Sequence, residues 1–309
     1  MLYRPFGSLG WPVSAIGFGT WNIGGQWGEV DEATAWAAVQ AAYAHGVNLF
    51  DTAESYGVPN GLSERRLGRA LAGIRHQVYV VSKIGHWGER TGGGVPKHSP
   101  DMIRLCGYAI LGRLRTDWVD VILCHEGNLA DPTIYLAGFE ALKDEGAIRA
   151  YGISTNDLEV LKRFNREGTC SVVEVDYSLL NRQPEEALLP YCAEQGIAVL
   201  VRGPLHKGML SGKYDAHSTF DDQVRSAWNP GQPGRAQYER EAAVVDRLKE
   251  HLRPGEEMVT TALRYTISHP AHPVAIPGAK SPEQAIMNAA AGERTLTAAE
   301  LADIRAVLG

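Results

Sequence analysis

The chain has 309 residues, of which 44% are hydrophobic and 21% are charged. This composition is close to the average of globular proteins and excludes a disordered chain. The net charge of −6 argues against nucleic acid or an anionic membrane surface as the main partner. No stretch approaches the ~20 apolar residues of a membrane span, and the N-terminus lacks the pattern of a signal peptide. The four cysteines lie far apart without a CxxC pair, so we expect reduced thiols in a cytoplasmic protein.

Eight short apolar runs predict the strands of a parallel sheet. They lack the strict alternation of half-buried strands, so we expect helices to cover them. The runs are AIGFG from Ala15, VNLFD ending at Asp51, VYVVSK ending at Lys83, WVDVILCH ending at His125, AYGIS ending at Ser154, SVVEVDY around Val173, IAVLVR ending at Arg202 and HPVAIP ending near Pro277.

Helical patterns separate these runs. The first covers residues 31–45, with Ala33, Ala37, Val39 and Ala41 marking an apolar face. The alternation of strand and helix predicts an α/β fold, a single-domain (β/α)8 TIM-type barrel over residues 1–309, with a doubly wound sheet as the alternative. The remaining helical stretches are 63–71, 100–114, 133–145, 158–167, 184–195, 282–291 and the C-terminal TAAELADIRAVLG.

Two segments depart from this alternation. Residues 1–13 carry turn signals between short apolar pieces, which indicates an N-terminal β-hairpin that caps one end of the barrel. Residues 214–236 are polar and rich in Gly, Pro and Asp, which indicates a long loop over the strand ends with few apolar anchors. Loops of this length in a compact domain are usually functional or mobile.

Several familiar sites are excluded by their missing residues. Gly17 and Gly19 follow a strand, but Asn22 stands where a dinucleotide fingerprint has its third glycine. A spacing typical of a phosphate loop begins at Gly203, but Met209 replaces its lysine. The ten histidines are scattered without the spacing of metal ligands, so no metal site is expected.

One set of ionisable residues remains. Asp51, Lys83 and His125 each close an apolar run, and Tyr56 follows Asp51 by five residues. Side chains at the carboxyl ends of barrel strands point into a shared mouth. A phenol of pKa ~10 is a weak acid at neutral pH unless a cation lowers that pKa, and Lys83, held by Asp51, can supply the charge. The set predicts a general acid that protonates a carbonyl as it receives a hydride, with His125 orienting the reacting oxygen.

The chain resembles the aldo-keto reductase family. The likeness is carried, in the family's order from Gly17 to about Ala291, by GFGTW, FDTAESYG with LSERRLGRAL, VSKIG, RLRTDWVDVILCH, ALKDEGAIRAYGIST, GPLHKGMLSGK and IPGAKSPEQAIMNAA. The resemblance implies an oxidoreductase that reduces aldehydes or ketones reversibly, with Asp51, Tyr56, Lys83 and His125 as the catalytic tetrad. It also leaves an alternative, a cofactor-binding regulatory subunit like the beta subunits of potassium channels.

The resemblance further implies a nicotinamide dinucleotide bound without a Rossmann domain. Ser154, Thr155 and Glu174 match the residues that hold the carboxamide, although the family has Asn and Gln at the last two positions. Arg202 replaces a tyrosine that stacks on the ring in many relatives. The complete set of implied cofactor residues is Thr20, Trp21, Asp51, Ser154, Thr155, Glu174, Arg202, Gly203, Leu205, Gly208, Lys213, Gly278, Lys280, Ser281, Gln284 and Asn288.

The segment KSPEQ predicts a helix start at an anion site. Ser281 is placed as N-cap, Pro282 at the first helical position and Gln284 at the third, which is a capping box. A helix N-terminus favours anions, and Lys280 adds a full charge beside it. We therefore expect NADPH (NADP+), with NADH as the alternative cofactor.

The sequence says less about the substrate than about the cofactor. Trp21, Trp27 and Trp87 follow the first and third strands and can wall an apolar pocket for a small carbonyl compound. The absence of a long C-terminal tail predicts an open mouth and broad specificity. The sequence defines neither the physiological substrate nor the oligomeric state.

Overall fold

The strands of the computed structural model form one parallel sheet that curls into a barrel. The structure describes residues 1–89, 92–252 and 255–308, so Gly309 of the predicted domain lies outside the described residues. Each strand of the sheet pairs with the next one along the chain. The strands are β3 (Phe18–Gly19), β4 (Leu49–Asp51), β5 (Tyr79–Ile84), β6 (Val119–Cys124), β7 (Ile148–Ser154), β8 (Val172–Asp176), β9 (Ala198–Arg202) and β10 (Val274–Ala275).

The first and last strands close the barrel. The backbone N–H of Gly17 donates to the carbonyl of Ala275 at 2.8 Å, and that of Gly19 donates to Pro277 at 3.1 Å. Parallel bridges join Ile16 to Ala275 and Gly19 to Gly278. The barrel prediction is confirmed and the doubly wound alternative is wrong, because such a sheet keeps two open edges.

Helices cover the outside of the sheet at the predicted places. Two of them, α7 and α8, were not predicted. In α7 the buried Tyr238, Ala242, Val245 and Leu248 are separated by many charged residues, and α8 is buried over most of its length and lacks a polar face. The helices are α1 (Glu32–Ala44), α2 (Leu62–Ala70), α3 (Pro100–Leu114), α4 (Thr133–Asp144), α5 (Leu158–Phe164), α6 (Leu188–Gln195), α7 (Arg235–Glu250), α8 (Met258–Ile267), α9 (Pro282–Ala291) and α10 (Ala298–Leu308).

The apolar face predicted for α1 was only partly right, since Val39 is buried and Ala41 packs against the core. The buried residues of this helix are Ala35, Ala38, Val39 and Ala42, whereas Ala33 is exposed. Alanine is small and common on both faces of a helix, so its positions alone define the buried face poorly. The spacing of three and four residues in the observed set is that of one helical stripe.

The N-terminal hairpin is formed as predicted. Its strands β1 (Tyr3–Pro5) and β2 (Pro12–Ser14) pair antiparallel. Gly7 in its turn has φ +51°, and a Cβ there would lie 2.6 Å from the backbone N of Ala198, the first residue of β9. Phe6 and Val13 are buried in the barrel interior. The hairpin therefore caps the end at which the strands begin.

The long segment after β9 is anchored more firmly than predicted. We call residues 214–234 the strap, since α7 begins at Arg235. Phe220 and Trp228 are buried, and the Trp228 ring lies 5.3 Å from the ring of Tyr238 on α7. The Arg235 guanidinium donates to the carbonyls of Ser218 and Trp228 at 3.1 and 3.3 Å. The apolar anchors are few, as expected, but these two aromatic side chains fix the strap on α7.

Two further observations bear on the class of protein. No helix within residues 1–89, 92–252 and 255–308 is long and apolar enough to cross a membrane. All four cysteines are free, and Cys124, Cys170 and Cys192 are buried.

Candidate active site

The candidate side chains lie at the carboxyl ends of five neighbouring strands. Asp51 and Ser154 are the last residues of β4 and β7, and Lys83 precedes the last residue of β5. His125 follows β6 directly, and Glu174 lies in β8 opposite Ser154. Because parallel strands end at one edge, this register brings all five side chains to the barrel mouth.

The Lys83 ammonium group holds the site together. Its Nζ lies 2.5 Å from Asp51 Oδ2, 3.0 Å from Glu174 Oε2, 3.0 Å from the carbonyl of Thr52 and 3.3 Å from Tyr56 Oη. Lys83 and Glu174 are completely buried, and Asp51 is nearly so. The Tyr56 residue is partly exposed at the mouth.

These contacts hold Lys83 in its charged form. Burial on its own would lower the pKa of the ammonium, but the carboxyl groups of Asp51 and Glu174 and the phenol of Tyr56 raise that pKa above its ordinary value. Burial raises the pKa of Asp51 well above its usual range, Lys83 opposes the increase, and Glu174 adds to it.

The pKa of Tyr56 differs from the prediction. Burial raises the pKa of the phenol, and the charges of Glu174 and Asp51 raise it further, while Lys83 lowers it by less. The predicted net lowering was wrong because it counted the cation and omitted burial and the second carboxyl group. At neutral pH the phenol therefore keeps its proton and can give it only to a strongly basic oxygen such as an alkoxide.

Aromatic rings surround the Tyr56 hydroxyl. The Trp21 ring stacks on the Tyr56 ring with centroids 5.9 Å apart, and the Trp27 ring contacts Trp21 edge-on at 5.0 Å. The His125 ring meets that of Tyr56 edge-on at 5.8 Å. Trp87 lies elsewhere, under the Arg113 guanidinium at 4.9 Å. Two of the three predicted tryptophans therefore line the side of the mouth next to Tyr56.

Several residues of the mouth were missed by sequence reasoning. The His86 ring lies 4.8 Å from that of His125, and its Nε2 is 2.7 Å from the His125 carbonyl oxygen. Buried Glu54 accepts from the backbone N–H of Gly85 at 2.8 Å and pairs with Lys97 at 3.5 Å. The one available signal was Glu54 itself, an acid inside the motif FDTAESYG.

The residues matched to the carboxamide site hydrogen-bond to other groups of the protein. Ser154 Oγ donates to Glu174 Oε1 at 3.2 Å, and Thr155 Oγ1 donates to the carbonyl of Gly127 at 2.7 Å. Arg202 is exposed and donates to Asn156 Oδ1 at 3.0 Å. Both oxygens of Glu174 are thus engaged within the protein, one by Ser154 and one by Lys83.

The segment after β9 is shaped by glycine residues. Gly203 and Gly208 have φ of +63° and +89°, conformations that favour glycine and turn the backbone N–H groups of the loop. Leu205 is half-buried, and Lys213 is exposed. Within this loop the N–H groups of His206 and Gly208 donate to the carbonyls of Gly203 and Leu205 at 2.8 and 2.9 Å.

The start of α9 is capped nearly as predicted. Ser281 Oγ accepts from the backbone N–H of Gln284 at 3.4 Å, but Gln284 Oε1 accepts from the N–H of Lys280 at 2.9 Å, one residue before the N-cap. Lys280 Nζ donates to the carbonyl of Trp27 at 2.8 Å. Asn288 Nδ2 donates to the carbonyl of Gly278 at 3.3 Å. The Lys280 charge therefore lies between α9 and the segment after β3.

The mouth has buried polar atoms that a polar ligand would satisfy. Within the described ranges, Thr20 Oγ1, Trp21 Nε1, Trp27 Nε1 and Thr52 Oγ1 are buried without a hydrogen-bond partner. Buried polar groups are normally paired, so four orphans after β3 and β4 indicate a missing ligand with acceptor groups. Arg225 of the strap, which pairs with Asp222 at 2.7 Å, lies 5.7 Å from the Trp27 ring. These features fit a phosphorylated dinucleotide. The part of the chain that the structure describes contains no group of three or more His, Cys, Asp or Glu placed to hold a metal ion.

The site is thus a buried lysine with two carboxyl groups and a tyrosine at the mouth of a closed barrel. The model of the aldo/keto reductase family matches residues 15–308. The chain belongs to the aldo/keto reductase family and is an NAD(P)-dependent oxidoreductase.

Relatives of known name support this placement. The chain is 30% identical to the aldo-keto reductase YhdN of Bacillus subtilis, covering 100% of this chain and 94% of that protein. It is 34% identical to the NADH-specific methylglyoxal reductase of Escherichia coli, covering 67% and 68%. The holo form of aldo-keto reductase AKR11C1 from Bacillus halodurans superposes with a TM-score of 0.82 at 29% identity, covering 99% and 96%. An aldo-keto reductase from Klebsiella pneumoniae in complex with NADPH gives 0.75 at 28% identity, covering 99% and 94%.

Proposed function

We propose that this protein reduces small aldehydes or ketones to alcohols with NADPH, reversibly, and that Tyr56 is the general acid. The observation that carries the proposal is the 3.3 Å contact between Lys83 Nζ and Tyr56 Oη inside a buried ion cluster. Residues 1–309 act as one domain in this proposal, and the free cysteines support a cytoplasmic location.

The reaction follows from the groups at the mouth. When bound, the nicotinamide supplies the hydride. Tyr56 Oη and the His125 side chain hydrogen-bond the carbonyl oxygen and orient it. As negative charge develops on that oxygen, Tyr56 gives up its proton, and the adjacent Lys83 ammonium stabilises the phenolate that remains. Asp51 keeps Lys83 in place and charged.

The cofactor assignment rests on charge at the start of α9. In this proposal the Lys280 ammonium binds a 2′-phosphate, which NADPH has and NADH lacks. The solved relative from Klebsiella pneumoniae holds NADPH, whereas the relative from Escherichia coli is named as specific for NADH. NADPH is therefore the proposed cofactor and NADH the alternative. Ser281, Gln284 and Asn288 would contact the adenosine end, and the loop from Gly203 would contact the pyrophosphate.

A panel of carbonyl compounds with NADPH tests the proposal. Loss of NADPH absorbance with several aldehydes is the expected result. Turnover of one narrow substrate would overturn the broad specificity. Tight NADPH binding with no turnover across the panel would contradict the reductase and favour a cofactor-binding regulatory subunit.

A further inference from the structure

The ion cluster at the mouth has more acceptors than its cation can serve. The Lys83 ammonium has three N–H groups. Four oxygens lie within 3.3 Å of its nitrogen, from Asp51, Glu174, Thr52 and Tyr56. Glu174 comes from β8, on the far side of the barrel from β4, and its second oxygen accepts from Ser154. Glu174 therefore joins the cluster as a second carboxyl group.

The cluster has more carboxyl groups than cations. One ammonium group faces two buried carboxyl groups, and Tyr56 contributes a neutral phenol. On the adjoining strands His125 faces the Tyr56 ring, and Arg202 turns away to Asp176 at 3.4 Å. With both carboxyl groups ionised, Asp51, Glu174 and Lys83 sum to one uncompensated negative charge, or else the two carboxyl groups share a proton. Buried charge without a counterion is costly, so the site favours a cation.

We propose that Glu174 makes the site prefer the oxidised nicotinamide, which carries a positive charge, over the neutral reduced form. This inference rests on the proposed function. A carbonyl compound bound at Tyr56 Oη can accept a hydride only if the nicotinamide ring lies beside it. Glu174 lies near that hydroxyl, because only the Lys83 ammonium separates the two groups. At an effective dielectric constant of ~20, a unit charge about 6 Å away changes an affinity by roughly tenfold to a hundredfold.

Equilibrium dissociation constants for NADP+ and NADPH, measured by fluorescence, test this role in the absence of substrate. Glu174→Gln keeps the shape, with the amide oxygen toward Lys83 and the NH2 group toward Ser154. In this variant we expect NADP+ binding to weaken by about tenfold or more relative to NADPH binding. The matched control is Glu64→Gln, a completely buried carboxyl group that contacts Ser82 and Arg113 and does not touch Lys83. The control should leave the ratio of the two constants unchanged.

The outcomes separate charge from shape. An unchanged ratio in folded Glu174→Gln, or a shift toward NADP+, would overturn the proposal. Glu174→Asp keeps the negative charge and should keep the ratio of the NADP+ and NADPH dissociation constants. If circular dichroism shows that Glu174→Gln does not fold, the result with Glu174→Asp tests the proposal. A changed ratio of the two dissociation constants in Glu174→Asp would show that the shape of the side chain matters rather than its charge. That result would overturn the proposed role of Glu174. Failure of the unaltered protein to bind either form would contradict the proposed function itself and this inference with it.

Discussion

Lys280 connects two parts of the mouth that are distant in the sequence. Its ammonium group donates to the carbonyl of Trp27 after β3, and its backbone N–H donates to Gln284 in α9. The neighbouring Gly28 has φ +97°, and a Cβ there would lie 3.8 Å from Lys280 Nζ. A phosphate bound at the start of α9 would meet this ammonium group together with the N-terminal N–H groups of the helix.

Lys280→Ala should therefore weaken NADPH binding more than NADH binding. A charge-assisted contact contributes ~1.5–3 kcal/mol, and only NADPH carries the 2′-phosphate that can make it. Dissociation constants for both cofactors before and after the substitution give the ratio. Lys162→Ala is the control, because that lysine pairs with Glu159 on the outer helix α5. An unchanged ratio in Lys280→Ala would remove Lys280 from the phosphate site and leave only helix capping for KSPEQ.

The sequence predicts where the site residues lie at the strand ends better than it predicts which side chains they contact. Asp51, Lys83 and His125 are found at strand ends because the apolar runs that they close are local patterns. The contact of Glu174 with Lys83 crosses the barrel from β8 to β5, and no local pattern specifies a pairing across the interior. The same reason explains the error on Tyr56, whose pKa depends on burial and on that second carboxyl group.

Helix α2 is joined to the sheet through a buried acid. Glu64 Oε1 accepts from Ser82 Oγ on β5 at 2.6 Å, and its other oxygen pairs with Arg113 of α3. Burial raises the pKa of Glu64 to about 7, while Arg113 and Ser82 hold it lower than burial alone would. The carboxyl group therefore binds its proton more tightly in the folded than in the unfolded chain.

Stability should respond to pH through this group. Because the pKa of Glu64 is raised on folding, its contribution is complete below about pH 4.5 and is lost as the pH rises through about 7. Relative to Glu64→Gln, the unaltered protein should lose about 3 kcal/mol of free energy of unfolding across that interval. Urea unfolding of both proteins at several pH values measures the difference. A difference that stays constant or changes in the other direction would contradict the raised pKa.

The strap is a candidate for ordering by the cofactor. Phe220 and Trp228 fix it on α7, while Arg225 extends to the Tyr214 hydroxyl at 2.6 Å and lies near the Trp27 ring. We expect NADPH to increase protection of residues 222–228 from hydrogen exchange, because a bound pyrophosphate adds an anion next to Arg225. Exchange in α4 serves as the internal control. Equal exchange in the strap with and without NADPH, alongside protection elsewhere, would show that it does not cover the cofactor.

Strands and helices could be predicted from the sequence where their apolar pattern is strong. The eight strands are continuous apolar runs and were located from the sequence to within a few residues. Helix α7 was missed because its buried stripe of Tyr238, Ala242, Val245 and Leu248 lies among many charged residues. Helix α8 was missed because it is buried over most of its length. The strap was predicted as a loop, but its fixation on α7 depends on side chains from two separate segments.

The whole barrel is closed at the end opposite the site by the N-terminal hairpin. Gly7→Ala should lower the free energy of unfolding by roughly 1–3 kcal/mol, because the added Cβ would collide with the backbone of Ala198 and Gly196. Gly10→Ala is a matched control, since Gly10 also has a positive φ, +68°, but a Cβ there would meet nothing within 4 Å. Chemical denaturation measures both variants. Equal losses would show that backbone conformation, and not the contact with β9, determines the cost.

Tyr56→Phe tests the role of the phenol in the intact molecule most directly. A phenyl ring keeps the stacking on Trp21 but has no proton to give, and general acid catalysis contributes typically ~10²–10⁴-fold. Tyr43→Phe is the control, because the Tyr43 hydroxyl donates to Gln77 at an exposed site. We expect turnover of a simple aldehyde with NADPH to fall by about that factor in Tyr56→Phe, with the NADPH dissociation constant unchanged and the control fully active. Near-normal turnover by Tyr56→Phe would contradict the assignment of Tyr56 as the proton donor.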